Sequence, residues 1–201
     1  MPKIVDKVAK REEILQAALH AFAKKGFKNT KMIDIANESG IGKGTIYEYY
    51  RNKDEMLLAA FGEYIHLADA EVMAVLQGNL SPVAKIREII TKIIQIYTND
   101  PELTRVFFDF WVAGLQNTQQ PEIDFKPIYA QYRELTQKLL QEAIAAGEIR
   151  PDISVNTPAI IIGVIEGLFL QWMVDPDVFS LKDIAGAIID TIFNGILARK
   201  R

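Results

Sequence analysis

Residues 40–57 read GIGKGTIYEYYRNKDEML, with glycines at 40, 42 and 44, tyrosines at 47, 49 and 50, and lysines at 43 and 53. Backbone N–H groups in an open turn, together with hydroxyl, phenol and ammonium groups, are phosphate ligands. The chemistry these residues suggest is therefore the gripping of a phosphate. A nucleotide P-loop needs G-x-x-x-x-G-K-[ST] and a dinucleotide loop needs G-x-G-x-x-G, each after a strand. Here "GIGKGT" follows "MIDIANES", a helical pattern. Spacing and context both fail for the nucleotide loops, and the alternative is a helix-turn-helix.

A helix-turn-helix needs a small residue where two short helices cross, a glycine able to take positive φ in the turn, and apolar anchors on both sides. Ala36, Gly40, Ile41 and Ile46 occur in that order. Ile46 and Tyr50 lie four apart and face inward together. Lys43, Thr45, Tyr47 and Tyr49 are left outside or at the exposed start of the second helix, where free N–H groups meet an anion. Lys53 adds a charge at the mouth of the next helix. A solvated surface side chain is the competing reading for each of these taken singly.

The segment ILQAALHAFAKKGFKNTKMIDIANESGIGKGTIYEYYRNKDEMLLAAF resembles the DNA-binding domain of the TetR family of bacterial transcriptional regulators. The resemblance runs without a gap over roughly residues 10–61. It rests on Ala18, Phe22, Gly26 and Phe27, on Thr30, Ile35 and Ala36, on the segment from Gly40 to Tyr50, and on the K-x-E-M-L that follows. It implies that Lys43, Gly44, Thr45 and Tyr47 enter the major groove and grip flanking phosphates. Tyr49 and Lys53 are implied as further backbone contacts, and Thr30 as the cap of the first short helix. Two positions depart from the family pattern. Ile33 stands where a polar or basic DNA-facing residue is common, and Lys31 where Ser or Thr is common. With Thr30, Lys31 completes the expected DNA-binding set.

The elements that must hold this segment are read from punctuation. Pro and Gly fall at segment ends, and alternating strand patterns are missing. Helices are expected over Lys7–Lys25, Met32–Ser39, Lys43–Arg51 and Lys53–Gln77, the last capped by Asn52. Further starts are marked by Ser81–Pro82, Asp100–Pro101, Gln120–Pro121, Thr157–Pro158 and the S-L-K-D of Ser180–Asp183. The expected fold is all-α, with about nine helices. A three-helix helix-turn-helix domain over residues 1–53 (the motif itself about 31–50) joins a larger helical effector-binding and dimerisation domain over 54–201.

Composition fits that picture. The 201 residues are 49% hydrophobic and 24% charged, as in globular proteins. The net charge of −3 conceals an asymmetry: residues 1–54 sum to +4 and the remainder to −7. One end is suited to a polyanion. Cysteine is absent and histidine occurs twice, at 20 and 66, so thiolate chemistry is excluded and no metal-ligand spacing or catalytic set appears. A non-enzymatic protein without cofactor or metal is expected. The charged N-terminus MPKIVDKVAK lacks the apolar core of a signal peptide, giving a cytoplasmic expectation. PAIIIGVIEGLFLQWMV is interrupted by Glu166 and Gln171 and reads as a buried helix rather than a membrane span.

In the second domain the resemblance implies a ligand cavity and a dimer interface. Phe107, Phe110 and Trp111 form a stripe at i, i+3 and i+4, which Tyr64, Tyr129 and Tyr132 could approach. Such a stripe is core at least as readily as pocket wall. Arg105, Asp109 and Glu166 are candidate polar groups, with Glu166 placed in the effector set beside Tyr64, Phe107, Phe110, Trp111 and Tyr129. Gly163 and Gly167 allow another backbone to approach, and Ile188, Ile192 and Ile196 extend an apolar face, giving a four-helix dimer interface. A two-fold dimer would read a palindromic operator with half-sites roughly 34–36 Å apart. Two regulatory readings stay open: a repressor released by a small lipophilic ligand, and a DNA-binding regulator without a small-molecule effector.

Overall fold

The computed structural model describes residues 6–115 and 124–196, without the side chains of Asp109, residues 112–115, Lys182 and residues 195–196. Among those residues there are nine helices and no strand: α1 (Lys7–Lys25), α2 (Met32–Ser39), α3 (Lys43–Tyr49), α4 (Lys53–Gln77), α5 (Pro82–Asn99), α6 (Pro101–Leu115), α7 (Phe125–Ala145), α8 (Thr157–Val174) and α9 (Leu181–Ile196). The protein is all-α, as the sequence predicts.

Caps explain most of the boundaries. A side-chain oxygen that accepts a first-turn N–H relieves one of the helix's orphan donors, for about 1 kcal/mol. Asn52 Oδ1 accepts from the Glu55 N–H at 2.8 Å, Asp100 Oδ1 from Leu103 at 2.9 Å, and Ser180 Oγ from Asp183 at 3.3 Å. For α5 the nearer acceptor comes from far along the chain. Glu148 Oε2 takes the Val83 N–H at 2.9 Å and the Ser81 hydroxyl at 3.1 Å, while Ser81 Oγ itself reaches only Ala84 N at 3.4 Å. Two boundaries differ from expectation. α8 is preceded by Asn156, so Thr157 is its first residue rather than its cap. α3 stops at Tyr49 because Tyr50 turns to extended backbone, with φ −141° and ψ 128°, to bury its ring. The Gln120–Pro121 start lies outside the described residues; α7 begins behind Asp124, whose carboxylate accepts from Lys126 N at 3.0 Å.

The described chain forms two compact units. The first contains α1, α2, α3, α4 as far as Leu67, and α6. Ile14, Leu15, Ala18 and Phe22 recur at helical spacing on one side of α1 and are fully buried, as are Ile35, Ile46, Met56 and Leu57. Each fully buried aliphatic side chain contributes about 1.5–3 kcal/mol relative to exposure. α1 packs on both α2 and α6. Phe107 and Phe110 of α6 bring their rings to 5.6 and 5.8 Å from that of Phe61, which is why α6 groups with the N-terminal helices although the sequence reading assigns it to the second domain.

The second unit contains the rest of α4 with α5, α7, α8 and α9. Val83, Ile86, Ile90 and Ile94 make a buried stripe on α5, which packs against α7 and α9. Leu139, Leu140 and Ala143 answer it from α7, and Phe193 from α9 is fully buried beneath the Arg87 guanidinium, 4.8 Å from its ring centroid. α8 is the exception. Only Thr157, Pro158, Ile161 and Phe169 are buried, while Ile160, Leu170 and Val174 are 55%, 44% and 80% exposed. The helix expected to be buried is long and apolar enough to cross a membrane by length and composition, yet within one chain it leaves a broad apolar side uncovered.

Candidate nucleic-acid interface

The turn between α2 and α3 is built around Gly40, whose φ of 65° and ψ of 15° lie in the left-handed region that a side chain disfavours. Two residues later Gly42 precedes α3 with no side-chain cap. Ile46 and Tyr50 point inward, at 0% and 1% exposure. Tyr50 is held three ways by Arg11: Nε donates to its phenol oxygen at 3.2 Å, the phenol donates to the Arg11 carbonyl at 3.4 Å, and the guanidinium lies 4.7 Å from its ring centroid. Burial pushes the Tyr50 phenol above its ordinary pKa, only partly opposed by Arg11, so it stays neutral.

With those anchors inside, α3 turns Lys43, Gly44 and Tyr47 outward. The Lys43 ammonium sits 5.8 Å from the centroid of the Tyr47 ring, itself 45% exposed. Thr45 and Tyr49 are half-buried at the margins. Nothing lies within 4 Å of a methyl group placed on Gly42 or Gly44, so this surface is open. Lys31 is exposed before α2, and Ile33 on α2 is 44% exposed. A cation, hydroxyls and phenols arranged around a helix start are groups that grip DNA phosphates and reach base edges.

Two expected DNA contacts have other employment. Thr30 is 2% exposed, and its hydroxyl is shared between the carbonyls of Gly26 at 2.9 Å and Ala21 at 3.1 Å. It closes the end of α1 and is not the cap of α2. That cap is Lys31, whose N–H donates to Asp34 Oδ2 at 2.8 Å. The Lys25 ammonium on Asp34 Oδ1 at 2.7 Å, with the Lys31 backbone bond, holds the Asp34 carboxyl below its ordinary pKa. Lys53, the second, donates to the carbonyls of Phe27, Lys28 and Thr30. Sequence spacing marks both residues as belonging to the motif without revealing which way they point.

The expected effector residues divide between the units. Tyr64, Phe107, Phe110 and Trp111 lie in the first. Phe107 and Phe110 are 4% and 3% exposed and packed on Phe61; Tyr64 stacks at 4.6 Å on Phe107, and Trp111 lies 5.3 Å from Phe108. Phe107 and Phe110 are core, the competing reading of the stripe, while Tyr64 and Trp111 are half-buried. The side chain of Asp109 lies outside the described residues. In the second unit Tyr129 of α7 donates a short hydrogen bond to Glu166 of α8, and the rings of Tyr129 and Tyr132 meet edge to face at 6.5 Å. Burial raises the Glu166 pKa against the Tyr129 bond. Burial first, then the charges of Asp69 and Glu166, push Tyr132 up to about 12. No cation forms an ion pair with Glu166 among the described residues.

Of the expected interface residues, Gly163 is exposed and Gly167 half-buried, with no atom within 4 Å of a methyl placed on either. Ile188 does not face outward. At 4% exposure it belongs to the unit's own core, because α9 turns its 185–188–189–193 side toward α5. Ile192 is half-buried and the side chain of Ile196 lies outside the described residues.

A buried-anchor helix-turn-helix carrying an open, cation- and phenol-bearing second helix, in a chain whose described elements are all helices, defines a helix-turn-helix DNA-binding regulator. Residues 14–60 match the family described as "Bacterial regulatory proteins, tetR family", and residues 82–197 match "BetI-type transcriptional repressor, C-terminal". The chain belongs to the TetR family of transcriptional regulators. Among its relatives, the HTH-type transcriptional repressor AcnR of Corynebacterium jeikeium is 30% identical over 169 residues, covering 79% of each chain. The fatty acid metabolism regulator protein of Bacillus subtilis is 23% identical, covering 92% of this chain and 94% of that one. The crystal structure of the regulator FadR from Bacillus subtilis in complex with stearoyl-CoA shares the fold, with a TM-score of 0.70 at 21% identity over 92% of this chain and 98% of that one. These relatives are transcriptional regulators, not enzymes.

Proposed function

We propose that the protein is a homodimeric repressor that binds a palindromic operator through α3 of each protomer and is released by a small lipophilic ligand held in its C-terminal helices. Residues 1–53 read DNA, residues 54–201 bind effector and dimerise, and the protein acts in the cytoplasm. The observation that carries this reading is the outward stripe Ile160, Gly163, Leu170 and Val174 on α8. Such an apolar surface calls for a partner, and a second α8 supplies a self-complementary one. Two-fold symmetry then presents two copies of Lys43, Gly44, Thr45 and Tyr47 to two half-sites. Lys31 and Tyr49 flank them as further contacts.

Within the effector site, the Tyr129–Glu166 pair is the polar anchor, because it places an acceptor among otherwise apolar α8 side chains. Ligand favours one setting of α4, whose residues belong to both units, and so changes the separation of the recognition helices; DNA and ligand then weaken each other reciprocally. The stearoyl-CoA complex of a similar fold makes long-chain acyl-CoA the first probe.

The second reading, a regulator without small-molecule effector, is favoured by one observation. Phe107 and Phe110, counted as ligand walls, are filled core. Selection of random duplex DNA by the purified protein, beside a Lys43→Ala, Tyr47→Ala variant, tests the DNA reading. It expects a palindrome that the variant fails to recover, and enrichment of no sequence overturns it. Titration of stearoyl-CoA and a panel of lipophilic molecules against the operator complex separates the two regulatory readings. Release supports the first, and indifference to the whole panel favours the second.

A further inference from the structure

Lys53 opens α4 at the point where a family-like reading expects a phosphate contact, but its ammonium is already saturated. Nζ lies 2.7 Å from Phe27 O, 3.0 Å from Lys28 O and 3.1 Å from Thr30 O, and 4.5 Å from the centroid of the Phe27 ring. An ammonium has three donors, and three carbonyls take them. A phosphate could recruit Lys53 only by breaking bonds that satisfy the turn between α1 and α2, and charge-assisted bonds of this kind are roughly twice as strong as neutral ones.

The turn is itself fixed to α1. The Thr30 hydroxyl bonds back to Gly26 and Ala21, and the Phe27 ring meets Phe22 edge-on at 5.1 Å. On the other side of the Arg51–Asn52 linker, Tyr50 is held to Arg11. Two tethers therefore flank the short link from α3 to α4, and both run to α1 or its terminal turn. α2 and α3 are enclosed between the turn and Lys53.

We infer that Lys53 is a positioning residue for DNA recognition: it clamps the first turn of α4 onto the α1–α2 turn and so fixes the attitude of α3, without touching phosphate. The inference rests on α3 being the recognition helix. A residue with this role governs how well the two recognition helices fit an operator while leaving the count of neutralised phosphates unchanged. That count is readable, because each neutralised phosphate contributes about 0.9 to the slope of log affinity against log salt.

The test uses the full-length protein, the duplex recovered by selection and an unrelated duplex, across a potassium chloride series. Lys53→Met keeps an apolar stem against Phe27 but removes the donors; Lys43→Met is the phosphate-contact control. Circular dichroism and thermal unfolding first set the concentration of folded protein for each variant. The expected result for Lys53→Met is a loss of about tenfold on the operator, the scale of a hydrogen bond to a charged group. Its salt slope stays at the wild-type value, and its affinity for unrelated DNA is preserved. Lys43→Met lowers the slope by about 0.9 on both duplexes. A fall of about 0.9 for Lys53→Met makes Lys53 a phosphate contact and overturns the inference. So does wild-type operator affinity, or an equal loss on both duplexes at unchanged slope. If the wild-type protein itself selects no operator, the failure lies with the proposed function and is visible before any variant is made.

Discussion

The phenol of Tyr129 on α7 donates to the carboxylate of Glu166 on α8, joining two helices that pack against each other. Burial works against the charge on Glu166 and raises its pKa, and the Tyr129 bond opposes that only in part. Asp69, which with Glu166 acts on neighbouring Tyr132, adds further negative charge to this part of the unit.

The sign of the resulting pH dependence follows from linkage. A carboxyl whose folded pKa is raised binds more protons in the folded state, so stability falls as pH rises from the ordinary value of 4.5 through the folded pKa. Glu166→Gln keeps an acceptor for Tyr129 and removes the titration. The gap in melting temperature, variant minus wild type, is expected to grow over that interval and then level. Parallel curves across it would mean that Glu166 is as well solvated folded as unfolded.

Thr30→Val removes one hydroxyl from a 2% exposed site and with it the bonds to the Gly26 and Ala21 carbonyls, while Gly26 O keeps the Thr30 N–H at 3.2 Å. The expected cost is about 1 kcal/mol, the net worth of a lost hydrogen bond. In a chain of this size that lowers the melting temperature by roughly 2–4 °C per kcal/mol. Because the side chain is enclosed, the salt slope of DNA binding should match wild type. A slope lowered by about 0.9 would instead put Thr30 on a phosphate.

Tyr50→Phe keeps the buried ring and its contact with the Arg11 guanidinium but deletes the oxygen that Arg11 Nε donates to at 3.2 Å. A loss of about 1 kcal/mol is expected, read by urea unfolding with an unchanged m-value. No loss would show that Arg11 is equally well served by water.

The helices, the caps Asn52, Asp100 and Ser180, and the inward anchors of the motif were legible because each has a local signature: Pro after Asp100, Asn before Lys53, apolar residues at 46 and 50. Direction was harder. Thr30 and Lys53 sit at motif positions, yet whether a hydroxyl or ammonium turns to solvent or to a backbone carbonyl depends on the shape of the α1–α2 turn, which spacing does not encode. The Phe107–Phe110 stripe marked a helix face correctly but could not say that Phe61 covers it. Ile188 failed for a similar reason. Its i+4 spacing to Ile192 describes a stripe on α9, and only packing against α5 decides that Ile188 is core while Ile192 stays half-buried.

With Ile188 in the core, the proposed interface rests on α8, which already carries the expected Gly163 and Gly167, and Ile160→Glu tests it. Ile160 is 55% exposed in the single chain, so a carboxylate there costs the protomer little. Across a two-fold axis, Gly163, Leu170 and Val174 complete the apolar stripe. There the same carboxylate would be desolvated without a cation, several kcal/mol per ion. Sedimentation equilibrium should show Ile160→Glu as a folded monomer at concentrations where wild type is a dimer. The loss should carry over to DNA, since one recognition helix reads a single half-site and operator affinity should fall by orders of magnitude while the thermal unfolding of the protomer persists. A variant that remains dimeric, with operator binding intact, would remove α8 from the interface and leave its apolar side for a different partner.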